Sequence, residues 1–83
     1  MYTTYILFGT GNGKFYTGQT MDLSRRIQEH NRGKTPGMRS GMPWILVFSK
    51  DFNSRAEAVR LERQIKKRGA ERFLKDWTDK KVG

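Results

Sequence analysis

The chain has 83 residues, enough for one modest hydrophobic core, so a single domain spanning 1–83 is expected, with no room in this length for a separate recognition domain. Its formal net charge of +9, from 17 Lys and Arg against 8 Asp and Glu, points to polyanions and above all to nucleic acid. Cysteine is absent, which excludes disulfides, zinc–thiolate sites and thiol nucleophiles; no stretch reads as a leader or a membrane span, so a cytoplasmic protein without a membrane partner is expected.

Tyr2 to Phe8 is rich in β-branched and aromatic residues, and a second such run extends from Lys14 to Thr20. The glycine-rich Gly9–Gly13 between them reads as the turn of a hairpin: it lacks the lysine and hydroxyl of a phosphate-binding loop and leads into a strand rather than a helix. With a four-residue loop, Gly9 to Asn12, Tyr5 lies directly opposite Tyr16 on one face, whereas a loop one residue longer puts the two phenols on opposite faces. Asp22 caps a short helix running to Asn31, with Leu23 and Ile27 on one side and Asn31-Arg32-Gly33 as its stop. Arg32 to Pro43, with three glycines and two prolines, reads as a flexible basic loop. Trp44 to Ser49 is a continuous apolar run and is assigned as a third, central strand. Ser54 and Glu57 form a capping box for a helix over 55–68 that ends at Gly69, and a last helix over 70–80 lines up Phe73, Leu74 and Trp77 to cover the sheet. The expected fold is α+β, a small three-stranded antiparallel sheet flanked by three helices.

There is no G-x-S-x-G elbow, one histidine and no acidic cluster, which disfavours a hydrolytic triad. Tyr5, Tyr16, Gly18, Arg26, His30 and Glu62 instead resemble the pattern of the GIY-YIG nucleases, with Thr3-Thr4-Tyr5 in place of the first triplet and Tyr16-Thr17-Gly18 in place of the second. The resemblance spans nearly the whole chain and is closest to short stand-alone bacterial members. It implies a phosphodiester hydrolase with Tyr5 as general base, Tyr16 as a second catalytic hydroxyl, Arg26 stabilising charge on the phosphate and Glu62 holding a metal.

Elementary chemistry assigns the same residues overlapping tasks and also plainer ones. A phenol beside a metal and an arginine has its pKa lowered towards one that accepts a proton from water, but strand tyrosines are also ordinary packing. Arg26 and His30 are one helical turn apart and share a face; the guanidinium grips phosphate bidentately, and His30 orients water, acts as base or binds phosphate. Glu62 lies at the margin of the helix face that packs on the sheet, where it either binds Mg²⁺ or Mn²⁺ or pairs with Lys66 one turn on. With no other carboxylate nearby, one ion is expected rather than two. Gly18 is assigned a structural role, letting backbone or substrate approach closely. Lys14, Arg32, Lys34, Arg39, Lys66, Lys67 and Arg68 are candidates for the nucleic-acid backbone.

The expected function is a metal-dependent endonuclease on DNA, RNA remaining open as a substrate, with little intrinsic sequence preference and specificity supplied by DNA shape or a protein partner. The alternatives are a catalytically weak nucleic-acid-binding module of the same fold, or a basic RNA- or ribosome-associated protein.

Overall fold

The computed structural model describes residues 1–82. Three strands, β1 (Tyr2–Gly9), β2 (Phe15–Thr20) and β3 (Trp44–Phe52), form one antiparallel sheet in the order β2-β1-β3. Three helices accompany them, α1 (Leu23–Asn31), α2 (Arg55–Arg68) and α3 (Ala70–Val82), and a single 3-10 turn, Arg39–Gly41, lies in the basic loop. The helix starts follow local chemistry. The Asp22 carboxylate accepts from the Arg25 N–H at 3.1 Å, and the Ser54 hydroxyl accepts from the Glu57 N–H at 3.3 Å. Gly69, at φ 94°, ends α2 in a backbone conformation that a side chain would strain.

The central strand is β1, not β3. Thr3 to Leu7 are all buried because β1 is covered on both faces. On one face Tyr5 and Leu7 pack with Met38 and Trp44, joined by Tyr16, Leu23 and Ile27. On the other, Ile6, Phe48 and Ile65 pack with Leu61, Phe73 and Leu74, and Phe73 and Trp77 stand edge-on to the Phe48 ring. The apolar run of β3 has another cause. The β1–β3 register slips by one residue between Ile6↔Phe48 and Leu7↔Leu46. That bulge sends Trp44 to the Tyr5 face and leaves Phe48 on the Ile6 face, although both are even-numbered. A strand that feeds two cores in turn reads as uniformly apolar, yet as an edge strand it leaves Ile45 and Leu46 exposed.

The hairpin loop is two residues longer than expected. Phe8 pairs with Phe15, and Gly9 donates to the Lys14 carbonyl at 2.8 Å, so Tyr5 lies opposite Gly18 and Leu7 opposite Tyr16. A slip of two preserves parity, so Tyr5 and Tyr16 remain on one face as diagonal neighbours with ring centroids 6.2 Å apart. The basic loop is not a loose connector. Its Met38 is buried, and the Met38 carbonyl accepts from the Trp44 indole N–H at 2.7 Å. The hairpin turn clasps the same segment through Thr10 N–H to the Pro43 carbonyl and Asn12 to Ser40.

Asn31 ties α1 to β3 with a two-bond clamp. Its Oδ1 accepts from the Trp44 N–H at 2.6 Å and its Nδ2 donates to the Trp44 carbonyl at 3.0 Å. Removing the amide orphans two backbone groups that are largely shielded, each costing about 1–3 kcal/mol. Asn31→Ala is therefore expected to lower unfolding free energy by at least about 2 kcal/mol in urea titrations; stability equal to the parent protein's would show that the clamp carries no weight.

Candidate active site

Tyr5 is the hub of the polar cluster on the α1 face of the sheet. It comes from the middle of the central strand and is only 1% exposed. Its hydroxyl lies 3.3 Å from His30 Nε2, on the last turn of α1. His30 is equally buried, and its Nδ1 lies 3.1 Å from the Thr35 hydroxyl. Tyr16, half-buried on β2, presents its ring edge-on to the imidazole at 5.0 Å and stands near Trp44. The two phenols and the imidazole thus form one aromatic wall, in which Tyr5 and His30 find their polar partners inside the fold.

Gly18 explains how they fit. A Cβ there would lie 2.7 Å from the Tyr5 hydroxyl and 3.2 Å from the Tyr16 ring, distances that close-packed atoms do not tolerate. Opposite Tyr5 in the sheet, Gly18 is the floor on which both phenols rest.

Burial dominates the electrostatics. It pushes the Tyr5 phenol well above its ordinary value, and the negative potentials of Tyr16 and Glu62 add to that, while the Arg26 guanidinium opposes by charge and hydrogen bonding. The phenol is thus held neutral. This reverses the lowering expected from a neighbouring arginine: desolvation outweighs Arg26. His30 is pushed below its ordinary value, first by burial and then by the Arg26 charge, with Glu29 pulling weakly the other way. A neutral imidazole carries one N–H and one lone pair, so one of Tyr5 and Thr35 donates to the ring and the other accepts from it.

Arg26 extends from α1, with its side chain 44% exposed and Glu29 at 3.9 Å, a separation that leaves its fork open to another anion. Glu62 comes from α2, which packs on the opposite face of the sheet, yet its charge reaches the Tyr5 hydroxyl. Its carboxylate is 19% exposed and accepts from Lys66 at 2.8 Å, so the plainer pairing foreseen for it is present. Among the described residues no three His, Cys, Asp or Glu side chains converge on one point. A donor set of one carboxylate suits a single Mg²⁺ or Mn²⁺ that keeps most of its waters, and not a two-ion centre.

Of the cations assigned to nucleic acid, three are committed within the fold. Lys66 pairs with Glu62, Arg68 pairs with Asp76 at 2.9 Å, and Arg39 donates to the Gly33 carbonyl at 3.1 Å. Lys14, Arg32, Lys34 and Lys67 are exposed and join no ion pair among the described residues. Thr35 is the site residue that the sequence did not disclose, because a hydroxyl in a Gly- and Pro-rich loop has no periodicity to mark it; five residues after His30, it is placed only by the folding-back of the loop.

The chain belongs to the GIY-YIG family: the model of the GIY-YIG catalytic domain matches residues 1–81. That domain is of the nuclease type. Within the family, the chain is similar to short proteins of the UPF0213 group. It is 41% identical over 58 residues to one from Streptococcus agalactiae, covering 69% of this chain and 66% of that relative's length. It is 39% identical over 72 residues to UPF0213 protein YhbQ of Escherichia coli K12, covering 82% of this chain and 72% of the relative. The solution NMR structure of a UPF0213 protein from Bacillus halodurans superposes with a TM-score of 0.56 at 36% identity, covering 90% of this chain and 84% of that one. No helix among the described residues is long and apolar enough to cross a membrane.

Gly18→Ala tests the packing of the phenols. The added methyl must displace the Tyr5 ring or the strand, and overpacking of this kind costs about 1–3 kcal/mol. A fall in urea midpoint of that order is expected, and an unchanged midpoint would show that the phenols shift freely.

Proposed function

We propose that this protein is a metal-dependent endonuclease that hydrolyses DNA phosphodiester bonds with little sequence preference. The observation that carries the reading is the placing of a neutral phenol against a neutral imidazole, with an open guanidinium and a lone carboxylate whose charges both act on that phenol. In-line hydrolysis needs a proton acceptor for water, cationic stabilisation of the phosphoryl oxygens and help for the leaving oxygen.

In this reading Arg26 grips the scissile phosphate through its fork, and as it turns to the substrate it uncovers the Tyr5 hydroxyl. The attacking water gives its proton to the Tyr5 oxygen while Tyr5 passes its own proton to His30 Nε2. The imidazole becomes imidazolium and the phenol stays neutral throughout, while the bond from phosphorus to the leaving sugar oxygen breaks and that oxygen takes up a proton from solvent. This path avoids the phenolate that burial makes costly. Thr35 accepts from Nδ1–H and so keeps the Nε2 lone pair aimed at Tyr5. Tyr16 borders the phosphate from β2. Glu62 would hold a divalent ion in exchange for its bond to Lys66; when bound, such an ion supplies Lewis-acid neutralisation of the phosphoryl charge.

Plasmid nicking in Mg²⁺ or Mn²⁺ tests the assignment. Glu62→Ala and Arg26→Ala are expected to lose at least about a hundredfold in rate, as expected for removal of charge-stabilising groups, with Tyr5→Phe falling comparably. The rate of the parent protein should fall on the acid side at a pH below the ordinary histidine value of about 6.5, because protonated His30 cannot accept the proton from Tyr5. Full activity in Tyr5→Phe with loss in Tyr16→Phe would overturn the proton path. The Lys66 pairing of Glu62 favours one second reading, a catalytically slow binding module, and this predicts that DNA is retarded on a gel while the plasmid stays intact under every metal condition.

A further inference from the structure

The outer face of α2 carries cations that the site does not use. Arg55, Val59, Arg63 and Lys67 recur every four residues and form one line along the helix; Ala56 and Arg60 follow in the adjacent row. Together they line a shallow groove that contains no carboxylate. Arg55, Arg60, Arg63 and Lys67 are all exposed, and none joins an ion pair among the described residues, unlike Lys66 and Arg68 on the same helix. Ala56 and Val59 are short, so a chain lying between the arginines can come close to the helix backbone.

This groove adjoins a depression that includes Arg26 of the candidate active site. Arg55 lines the groove at one end and also lines the neighbouring depression with Arg26, Thr20 and Met21. Glu62 lies on the same helix, one turn before Lys66 and beside the Arg55–Val59–Arg63 line. The line of positive charge therefore runs from Arg26 across Arg55 and down α2, over about 18 Å of helix. A DNA strand presents one phosphate per about 3.4 Å of duplex axis, so that length spans several phosphates.

We infer that the outer face of α2 is the docking surface for the DNA duplex flanking the scissile phosphate, with Arg55, Arg60, Arg63 and Lys67 as its phosphate contacts. The inference deepens the nuclease reading, naming where the substrate beyond the cleft is held. Lone backbone cations give affinity and salt sensitivity without reading sequence. A flank held on a rigid helix that also carries Glu62 would enter the cleft in one fixed direction.

The test is binding without cleavage. Anisotropy of a short labelled DNA duplex is followed in EDTA over a range of salt concentrations, for the parent protein, R60Q/R63Q and R72Q/K75Q. The last pair removes equal charge from exposed positions on α3. The slope of log affinity against log salt is expected to flatten by about 0.9 for each α2 arginine removed, and much less for the α3 pair. Excess poly-glutamate at matched charge should compete poorly. Equal slopes for R60Q/R63Q and the parent, equal losses in both variants, or ready displacement by poly-glutamate would each overturn the inference. Because no hydrolysis is measured, a protein that binds as expected but fails to nick plasmid would retain this surface and lose only the nuclease assignment.

Discussion

The Tyr5 hydroxyl must be paired, because at 1% exposure no bulk solvent satisfies it, and His30 Nε2 is the group that lies against it inside the fold. That requirement orders much of the molecule. It fixes the last turn of α1 over the centre of the sheet, and it calls on Thr35 for the second imidazole nitrogen, which folds the basic loop back under the helix. It also leaves glycine as the residue that fits opposite, at position 18. Asn31, next to His30, secures the same helix end to β3, so the polar contact is braced by a backbone clamp. Buried polar groups arranged this way gain their rigidity from complete satisfaction, and no buried side-chain polar atom among the described residues lacks a partner.

The two faces of β1 divide the work. Ile6 and its partners from α2 and α3 form an apolar core with no part in the proposed chemistry, whereas Tyr5 and Leu7 back a wall whose polar tips face Arg26. Glu62 belongs to the helix that covers the apolar face but acts on the other, so the packing of α2 sets the distance between the carboxylate and the phenol. The same helix turns its cationic row outward. In the proposed account one element thus serves three purposes, packing on the sheet, holding the acidic residue and carrying the substrate flank.

Features fixed by neighbours in sequence were legible without the structure. Asp22 and Ser54 mark their helix starts, and Gly69 marks a stop, because capping is a matter of three or four consecutive residues. The helical spacing of Arg26 and His30 likewise put both on one face. The hairpin register was not legible, since a glycine-rich turn accommodates loops of several lengths, and only the parity of the Tyr5–Tyr16 relation survived. The edge position of β3 was concealed by its bulge, which makes an edge strand look doubly buried. The direction of the Tyr5 shift depends on how completely the ring is covered, a property of the whole fold that the presence of Arg26 in the pattern could not disclose. Which cations are free is equally non-local: Arg68 is neutralised by Asp76, eight residues on and in another helix.

The central claim is that Tyr5 donates to a neutral, buried His30 whose other nitrogen carries the proton. With imidazole-¹⁵N-labelled protein, an NMR titration reads both the tautomer and the protonation of this single histidine. The account predicts the Nδ1–H tautomer at neutral pH and a midpoint below the ordinary value of about 6.5. An Nε2–H tautomer, or a midpoint at or above that value, would contradict it.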